Sequence, residues 1–119
     1  MLIYHLSTVS DWEAAQAAGT YEISTRGLTI SEVGFIHAST AEQVAGVAEL
    51  FYVDCEEELV LLVIDVDALT VAGVPVRFEE IEGGQVFPHI YAPLPSDLVV
   101  EVRAASFDEN DRFVVTPAL

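Results

Sequence analysis

The sequence predicts a single α+β domain over residues 1–119, built on a mostly antiparallel sheet. Two segments with helical spacing lie in the first half of the chain, and most strand-like segments lie in the second half. Because 52% of the 119 residues are hydrophobic, the chain can bury one core, and it has no length left for a second domain.

The first strand and the first helix are predicted near the start of the chain. Residues 2–6 are apolar and aromatic, which is typical of a strand. The segment Ser10–Glu13 is a capping box with its serine as the N-cap. It predicts a helix over residues 11–18, which ends at Gly19 because glycine commonly terminates helices.

A second strand and a second helix are predicted before the middle of the chain. After a polar loop at residues 24–27, the segment Phe35–His37 predicts a short strand. A second capping box at Ser39–Glu42 predicts an amphipathic helix that runs to about Tyr52, because apolar residues recur there at helical spacing.

Five apolar segments in the second half predict strands: residues 58–65, 76–81, 85–91, 98–104 and 113–115. The first is almost wholly apolar, which predicts a central strand covered on both faces. Residues 67–69 predict a turn, Gly83-Gly84 predicts a loop or hairpin, and Pro88 predicts a strand edge or a bulge. The last two segments predict a hairpin around residues 108–111.

The charge of the chain limits its partners. It contains 20 acidic residues, four arginines and no lysine, for a formal net charge of −16. Because nucleic acids and anionic membrane surfaces attract proteins through basic residues, we expect neither as a partner. An anionic small molecule would have to use the few arginines or backbone N–H groups.

Further features favour a cytoplasmic protein. Residues 1–5 have no basic region and no long apolar stretch, so they do not predict a signal peptide. The longest apolar run, residues 59–64, is too short to span a bilayer. The single cysteine, Cys55, cannot form an internal disulfide, which fits a reducing compartment. Its acidic neighbours disfavour a thiolate, so we do not expect a nucleophilic cysteine.

All three histidines lie in short apolar, strand-like segments: His5, His37 and His89. Near neutral pH, an imidazole can bind a metal, transfer a proton or hydrogen-bond a polar ligand. The pattern therefore predicts a small-molecule site where the three side chains meet. The alternative for each is a packed histidine whose hydrogen bonds are satisfied within the protein.

The residues that follow two of the histidines suggest particular contacts. His5 is followed by Ser7 just past the strand end, and this pair could hold a ribose or a carboxamide by hydrogen bonds. His37 precedes Ser39, the predicted N-cap of the second helix. A helix N-terminus favours anions, so this segment could hold a phosphate.

His89 is followed by Tyr91, which would lie on the same face of the strand. Among the 20 acidic residues we single out Glu79, because it ends a strand just before the loop that leads to His89. The predicted cleft is lined by His5, His37, Ser39, His89 and Tyr91.

A metal site is the alternative for the same three imidazoles. No pair of histidines has the close spacing of a zinc motif, and a Cys-x-x-Cys pair is absent. Ligands on three separate strands could still converge into a three-histidine site. The spacing itself gives no support for a metal.

Three motifs resemble one small bacterial family. Ile3-Tyr4-His5, the segment Gly34–Ser39 and the segment Phe87–Leu94 look like the signature of domain of unknown function 952. The resemblance spans nearly the whole chain in the same order. It implies a split, mostly antiparallel sheet of the ADP-ribosyltransferase type, a fold that grips NAD between two small sheets.

The resemblance also implies roles for the candidate residues. His5 and Ser7 would hold the nicotinamide ribose and amide, and His37 would orient the nicotinamide. The position that usually carries a catalytic glutamate falls near His89, so His89 or Glu79 would stabilise the developing cation.

The leading hypothesis is thus a protein that binds NAD or a related nucleotide and acts at its N-glycosidic bond. In this hypothesis His37, His89 and Glu79 are the catalytic candidates, and the binding candidates are His5, Ser7, Ser39 and Tyr91. The alternatives are a non-catalytic nucleotide- or metabolite-binding module and the three-histidine metal site.

Overall fold

The computed structural model describes residues 1–119 as a mixed α+β fold with mostly antiparallel sheets. The helices are α1 (Val9–Ala18), α2 (Ile30–Val33), α3 (Val44–Phe51) and α4 (Val66–Val71), with a 3-10 turn at Ser96–Leu98. The first six strands are β1 (Leu2–Thr8), β2 (Thr20–Tyr21), β3 (Ile23–Thr25), β4 (Leu28–Thr29), β5 (Ile36–His37) and β6 (Leu59–Asp65). The last five are β7 (Val76–Glu80), β8 (Val86–Ile90), β9 (Leu94–Pro95), β10 (Val99–Phe107) and β11 (Phe113–Thr116).

A four-stranded antiparallel sheet in the order β1-β6-β10-β11 forms the centre of the fold. Its second strand, β6, is buried on both faces, which confirms the central strand predicted from its apolar run. Leu62 and Ile64 belong to the core on one face, whereas Leu61 and Val63 belong to the core on the other. The predicted hairpin of β10 and β11 is also confirmed.

Helices cover both faces of this sheet. On one face α1 contributes Trp12 and Ala15 to a core that also contains Tyr21. On the other face α3 packs Val44 and Ala48 against apolar side chains of β1 and β6. A slip of β1 by one residue would exchange its two faces and remove Ile3 from one core and Tyr4 and Leu6 from the other, so side-chain packing opposes it.

A second, three-stranded antiparallel sheet has the order β5-β8-β7. One face of this sheet contributes Ile36 and Ile90 to the first core. Because successive side chains of a strand point to opposite faces, their neighbours along the strands lie on the other face. Those residues are His37, which pairs with His89, and Glu79, which pairs with Phe87. The candidate site residues on these strands thus share the face of the sheet opposite the core.

The prediction that Pro88 marks a strand edge or a bulge was wrong, because β8 is the middle strand of its sheet and pairs with β7 without a shift in register. The Pro88 carbonyl accepts a hydrogen bond from the Ala38 N–H at 3.0 Å. The missing N–H of the proline points to this same side, where β5 has already ended at His37. The proline therefore interrupts no regular pair of β5 with β8.

The first helix begins two residues earlier than its capping box predicts. The N-cap is Thr8, whose Oγ1 accepts a hydrogen bond from the Asp11 N–H at 3.1 Å. Ser10 lies inside the helix and donates instead to Glu57. The predicted end at Gly19 is confirmed, since this residue has φ +92° and its N–H bonds back to the Ala15 carbonyl.

The prediction that Ser39 caps the second predicted helix was wrong. Ser39 instead forms a β-bridge with Tyr4, in which each residue donates its N–H to the other's carbonyl at 2.8 Å. Regular helix begins only at Val44, after a turn in which Gln43 Oε1 accepts from the Thr40 N–H at 3.1 Å. The helical N-terminus expected beside His37 is therefore absent.

The remaining differences concern short elements. Residues 67–69, predicted as a turn, belong to α4, which is capped by the Asp65 carboxylate accepting from the Asp67 N–H. Helix α2 and the small strand pairs β2–β9 and β3–β4 were not predicted, because each is only two to four residues long. None of the helices combines the length and the apolar character needed to cross a membrane.

The two candidate caps of α1 can be compared by mutation. We expect Thr8→Val to lower the free energy of unfolding by about 1 kcal/mol, because it removes the acceptor of the Asp11 N–H but keeps the side-chain volume. Ser10→Ala should change it by no more than about 0.5 kcal/mol, because the Ser10 hydroxyl caps no helix N–H and bonds only to the exposed Glu57 carboxylate and to the Thr8 hydroxyl. Urea unfolding measures both values, and a larger loss for the Ser10 variant would contradict the assignment of the cap.

Candidate functional site

The structure brings the three histidines together in a row. The His5 ring meets the backbone of His37, with 2.6 Å between Nδ1 and the carbonyl oxygen. His37 and His89 then face each other across the pair of β5 and β8, with 5.4 Å between ring centroids. The three side chains nevertheless have different surroundings, so they differ in which ring nitrogens can bond to a ligand.

His5 is buried and both of its ring nitrogens are hydrogen-bonded within the protein. Since the His37 carbonyl can only accept, Nδ1 of His5 carries the proton, and Nε2 accepts from the Tyr21 hydroxyl at 3.0 Å. Burial lowers the pKa of His5 to about 4, so the ring is neutral at pH 7. Ser7 is also buried and donates its hydroxyl to the Thr8 carbonyl at 2.8 Å. This arrangement favours a structural role for both residues over the ligand contact that the resemblance implies.

His37 differs because its hydrogen bonds to the protein are made by its backbone. Its N–H donates to Ser24 Oγ at 3.3 Å, and its carbonyl accepts from His5. Its ring packs against Phe87 in a tilted arrangement, with 4.9 Å between ring centroids, and is only partly buried. Burial, and then the nearby His89, lower the pKa of His37 to about 4. The ring is therefore a neutral imidazole that can both donate and accept a hydrogen bond at pH 7.

His37 lines a cavity of about 520 Å³ between α3, the hairpin of β3 and β4, and the first sheet. Most of the wall is apolar or aromatic, and it consists of Tyr4, Leu6, Leu28, Val44, Val47, Phe51, Tyr52 and Ile81. Its polar members are His5, Ser24, Thr25, Arg26, His37 and Ser39. A cavity of this size and composition suits a small molecule with a planar or apolar part and a few polar groups.

Glu79, His89 and Tyr91 form a second group on the same face of the sheet. Glu79 Oε1 accepts from His89 Nδ1 at 2.8 Å and also from the Tyr91 hydroxyl. These bonds, first that of Tyr91 and then that of His89, lower the pKa of Glu79, whereas the carboxylate raises the pKa of Tyr91. Phe35 stacks on the His89 ring at 3.9 Å, and the Arg77 guanidinium lies 4.9 Å from the centre of the Tyr91 ring.

The bond to Glu79 orients the ring of His89. Because the carboxylate can only accept, Nδ1 of His89 is the donor. Nε2 is buried and has no hydrogen-bond partner in the protein. A buried polar atom without a partner is rare, and at this position it lies next to the ring that lines the cavity.

The predicted cleft is therefore divided into two parts. His37 and Ser39 line the cavity, and His5 borders it with no free ring nitrogen. His89 and Tyr91 are not part of the cavity wall and belong to the group around Glu79. Among the predicted cleft residues, His37 is the one that contacts both parts, through its place in the wall and its ring contact with His89.

Sequence reasoning missed most of the cavity wall. Arg26 and Thr25 were assigned only to a polar loop, and Tyr52 only to a helix end. The amphipathic pattern of α3 was a usable signal, but it does not distinguish an apolar face that fills a core from one that also lines a cavity.

The geometry does not support the three-histidine metal site. No group of three or more His, Cys, Asp or Glu side chains is arranged to hold a metal ion. His5 could not join one without giving up a bond to His37 or Tyr21.

Residues 6–102 match the family described as protein of unknown function (DUF952). The chain belongs to this family. The motifs of His5, His37 and His89 thus correctly indicated DUF952, whereas the resemblance to ADP-ribosyltransferases rests on the motifs alone and stays a prediction.

Solved structures of one protein are similar over nearly the whole DUF952 chain. A crystal structure of protein CC0527 from Caulobacter crescentus is 31% identical, has a TM-score of 0.82, and covers 96% of this chain and 94% of that chain. The solution NMR structure of CC0527 gives 30% identity and a TM-score of 0.75, with coverage of 93% and 90%. A search among curated proteins found no match.

The burial of His5 predicts a loss of stability in acid. Its pKa is 6.5 when unfolded and about 4 when folded, so the unfolded chain binds a proton first as the pH falls. The stabilisation is therefore complete above pH 6.5 and is lost between pH 6.5 and 4. Urea unfolding measures the decrease in the free energy of unfolding between pH 7 and pH 4. This decrease should be about 2–3 kcal/mol smaller for His5→Asn than for the wild type.

The carboxylates titrate in both proteins, so their effect on stability cancels when the wild type is compared with the variant. An equal loss of stability in the wild type and in His5→Asn would contradict a neutral, buried His5.

Proposed function

We propose that this DUF952 protein is a cytoplasmic protein that binds a nucleotide-like small molecule, NAD or a derivative, in the cavity beside His37. The observation that carries the proposal is the imidazole of His37, which lines a cavity of about 520 Å³ and leaves both ring nitrogens to a ligand. The net charge of −16 argues against nucleic acid and anionic membranes as partners.

The chemistry of the cavity suits a nucleotide with a carboxamide-bearing ring. The apolar wall from α3 and from Tyr4 can pack against a planar ring. A neutral His37 can accept from a carboxamide N–H or donate to its oxygen, and Ser39 adds a hydroxyl to the same wall. A cavity lined mainly by apolar groups, with a few polar groups that fix orientation, is the usual form of such sites.

An NMR titration of the three histidine rings with NAD tests the proposal directly. We expect the His37 signals to shift most and to saturate, because its ring faces the cavity. The His5 signals should shift least, because that ring is held by two internal hydrogen bonds. Saturating shifts that are largest at His5, or no shift at His37, would contradict the proposed site.

Two substitutions of His37 separate hydrogen bonding from shape. His37→Phe keeps a ring in the wall but removes the polar atoms, so we expect it to weaken NAD binding at least tenfold, or about 1.4 kcal/mol. His37→Asn keeps a donor and an acceptor and should retain part of the affinity. Calorimetric titration measures both, and equal affinities of the wild type and His37→Phe would contradict the role of the imidazole.

A second candidate function is cleavage of the N-glycosidic bond of NAD. The observation that favours it is Glu79, whose carboxylate binds His89 beside His37. In this reaction water attacks the ribose carbon as the bond to nicotinamide breaks, which gives nicotinamide, ADP-ribose and a proton. A carboxylate stabilises the positive charge that develops on the ribose.

Release of nicotinamide from NAD measures this activity. If it occurs, Glu79→Gln should reduce the rate about 100-fold with little change in the affinity for NAD. Tyr91→Phe, which leaves the carboxylate in place, should have a smaller effect. Binding without any release would identify the protein as a non-catalytic nucleotide-binding module.

A further inference from the structure

Arg26 is the only arginine in the wall of the cavity. The other three have partners elsewhere: Arg77 lies over the Tyr91 ring, Arg103 donates to carbonyls at the end of the chain, and Arg112 pairs with Glu49. Because the chain has no lysine, Arg26 is the one side chain in the cavity that keeps a full positive charge at neutral pH.

The guanidinium of Arg26 lies at the rim, where its partner is an exposed carboxylate. It donates to Asp54 Oδ1 at 2.6 Å and to the Phe51 carbonyl at 3.2 Å. The Asp54 side chain is 81% exposed. An ion pair this exposed contributes little to folding, so Asp54 can return to water when another anion takes its place.

The two residues before Arg26 are polar and also line the cavity. Ser24 and Thr25 precede it on the hairpin, and both line the same wall. The Ser24 hydroxyl accepts a hydrogen bond from the N–H of His37. Residues 24–26 therefore connect the position of His37 with the guanidinium of Arg26. A guanidinium matches the geometry of a phosphate and can bind two of its oxygens.

We propose that Arg26 binds a phosphate group of the ligand, which displaces Asp54, so that the cavity selects nucleotides over nucleosides. This inference rests on the proposed function, because it assumes that the base or nicotinamide end of the ligand lies at His37. It adds the class of ligand: a ring at the His37 end, with an anionic phosphate at the rim.

The test compares two probes that differ by one phosphate, nicotinamide mononucleotide and nicotinamide riboside. Calorimetric titrations at one salt concentration give the ratio of their affinities for the wild type and for each variant. Arg26→Gln should weaken the mononucleotide at least tenfold and leave the riboside within about twofold. Asp54→Asn, which frees the guanidinium, should strengthen the mononucleotide severalfold.

Arg112→Gln is the matched control, because it removes the same charge from an arginine outside the cavity. It should leave the ratio of affinities close to that of the wild type. If Arg26→Gln and Arg112→Gln change the ratio of affinities equally, the effect is due to the overall charge of the protein and the inference is overturned.

The failure of this inference can be distinguished from the failure of the proposed function. If both probes bind in a manner that depends on His37 but Arg26→Gln leaves their ratio unchanged, the cavity site stands and the phosphate contact is refuted. If neither probe nor NAD binds the wild type, the proposed function fails and the inference fails with it.

Discussion

The position of the site depends on the contact between β1 and the segment that follows β5. The His5 ring donates to the His37 carbonyl, and the backbones of Tyr4 and Ser39 bond to each other in both directions. β1 belongs to the four-stranded sheet and β5 to the three-stranded one, so these bonds join the two sheets. They place the ring of His37 at the cavity, and through the strand pair they also place His89.

Differences in burial and pairing give the three imidazoles different properties. His5 has both ring nitrogens bonded within the protein, and its bond to the His37 carbonyl helps to join the two sheets. His37 is held through its backbone, which leaves its ring to the cavity. His89 is oriented by Glu79, and Phe35 stacks on its ring. His5 thus has a structural role, His37 is the ligand contact in our proposal, and His89 is a hydrogen-bond partner of the Glu79 carboxylate.

The sequence predicted the features that depend on local pattern. The apolar run of β6, the hairpin of β10 and β11 and the end of α1 at Gly19 were all recognisable, because each follows from neighbouring residues. The helix starts were missed because competing partners decided them: Thr8 takes the cap of α1, and the bridge to Tyr4 withholds Ser39 from α3. Likewise, the motifs indicated that three histidines meet, but which ring nitrogens remain free depends on partners distant in sequence.

The strand order has a consequence for how the molecule folds. The pairs β1–β6 and β5–β8, which create the surroundings of the histidines, each join residues roughly fifty positions or more apart. Closing such long loops costs entropy before any contact is gained, so folding of this topology is expected to be slower than that of a helical domain of similar size. During synthesis on the ribosome, the apolar β1 must wait until β6 has emerged. The cavity can therefore form only when more than half of the chain is available.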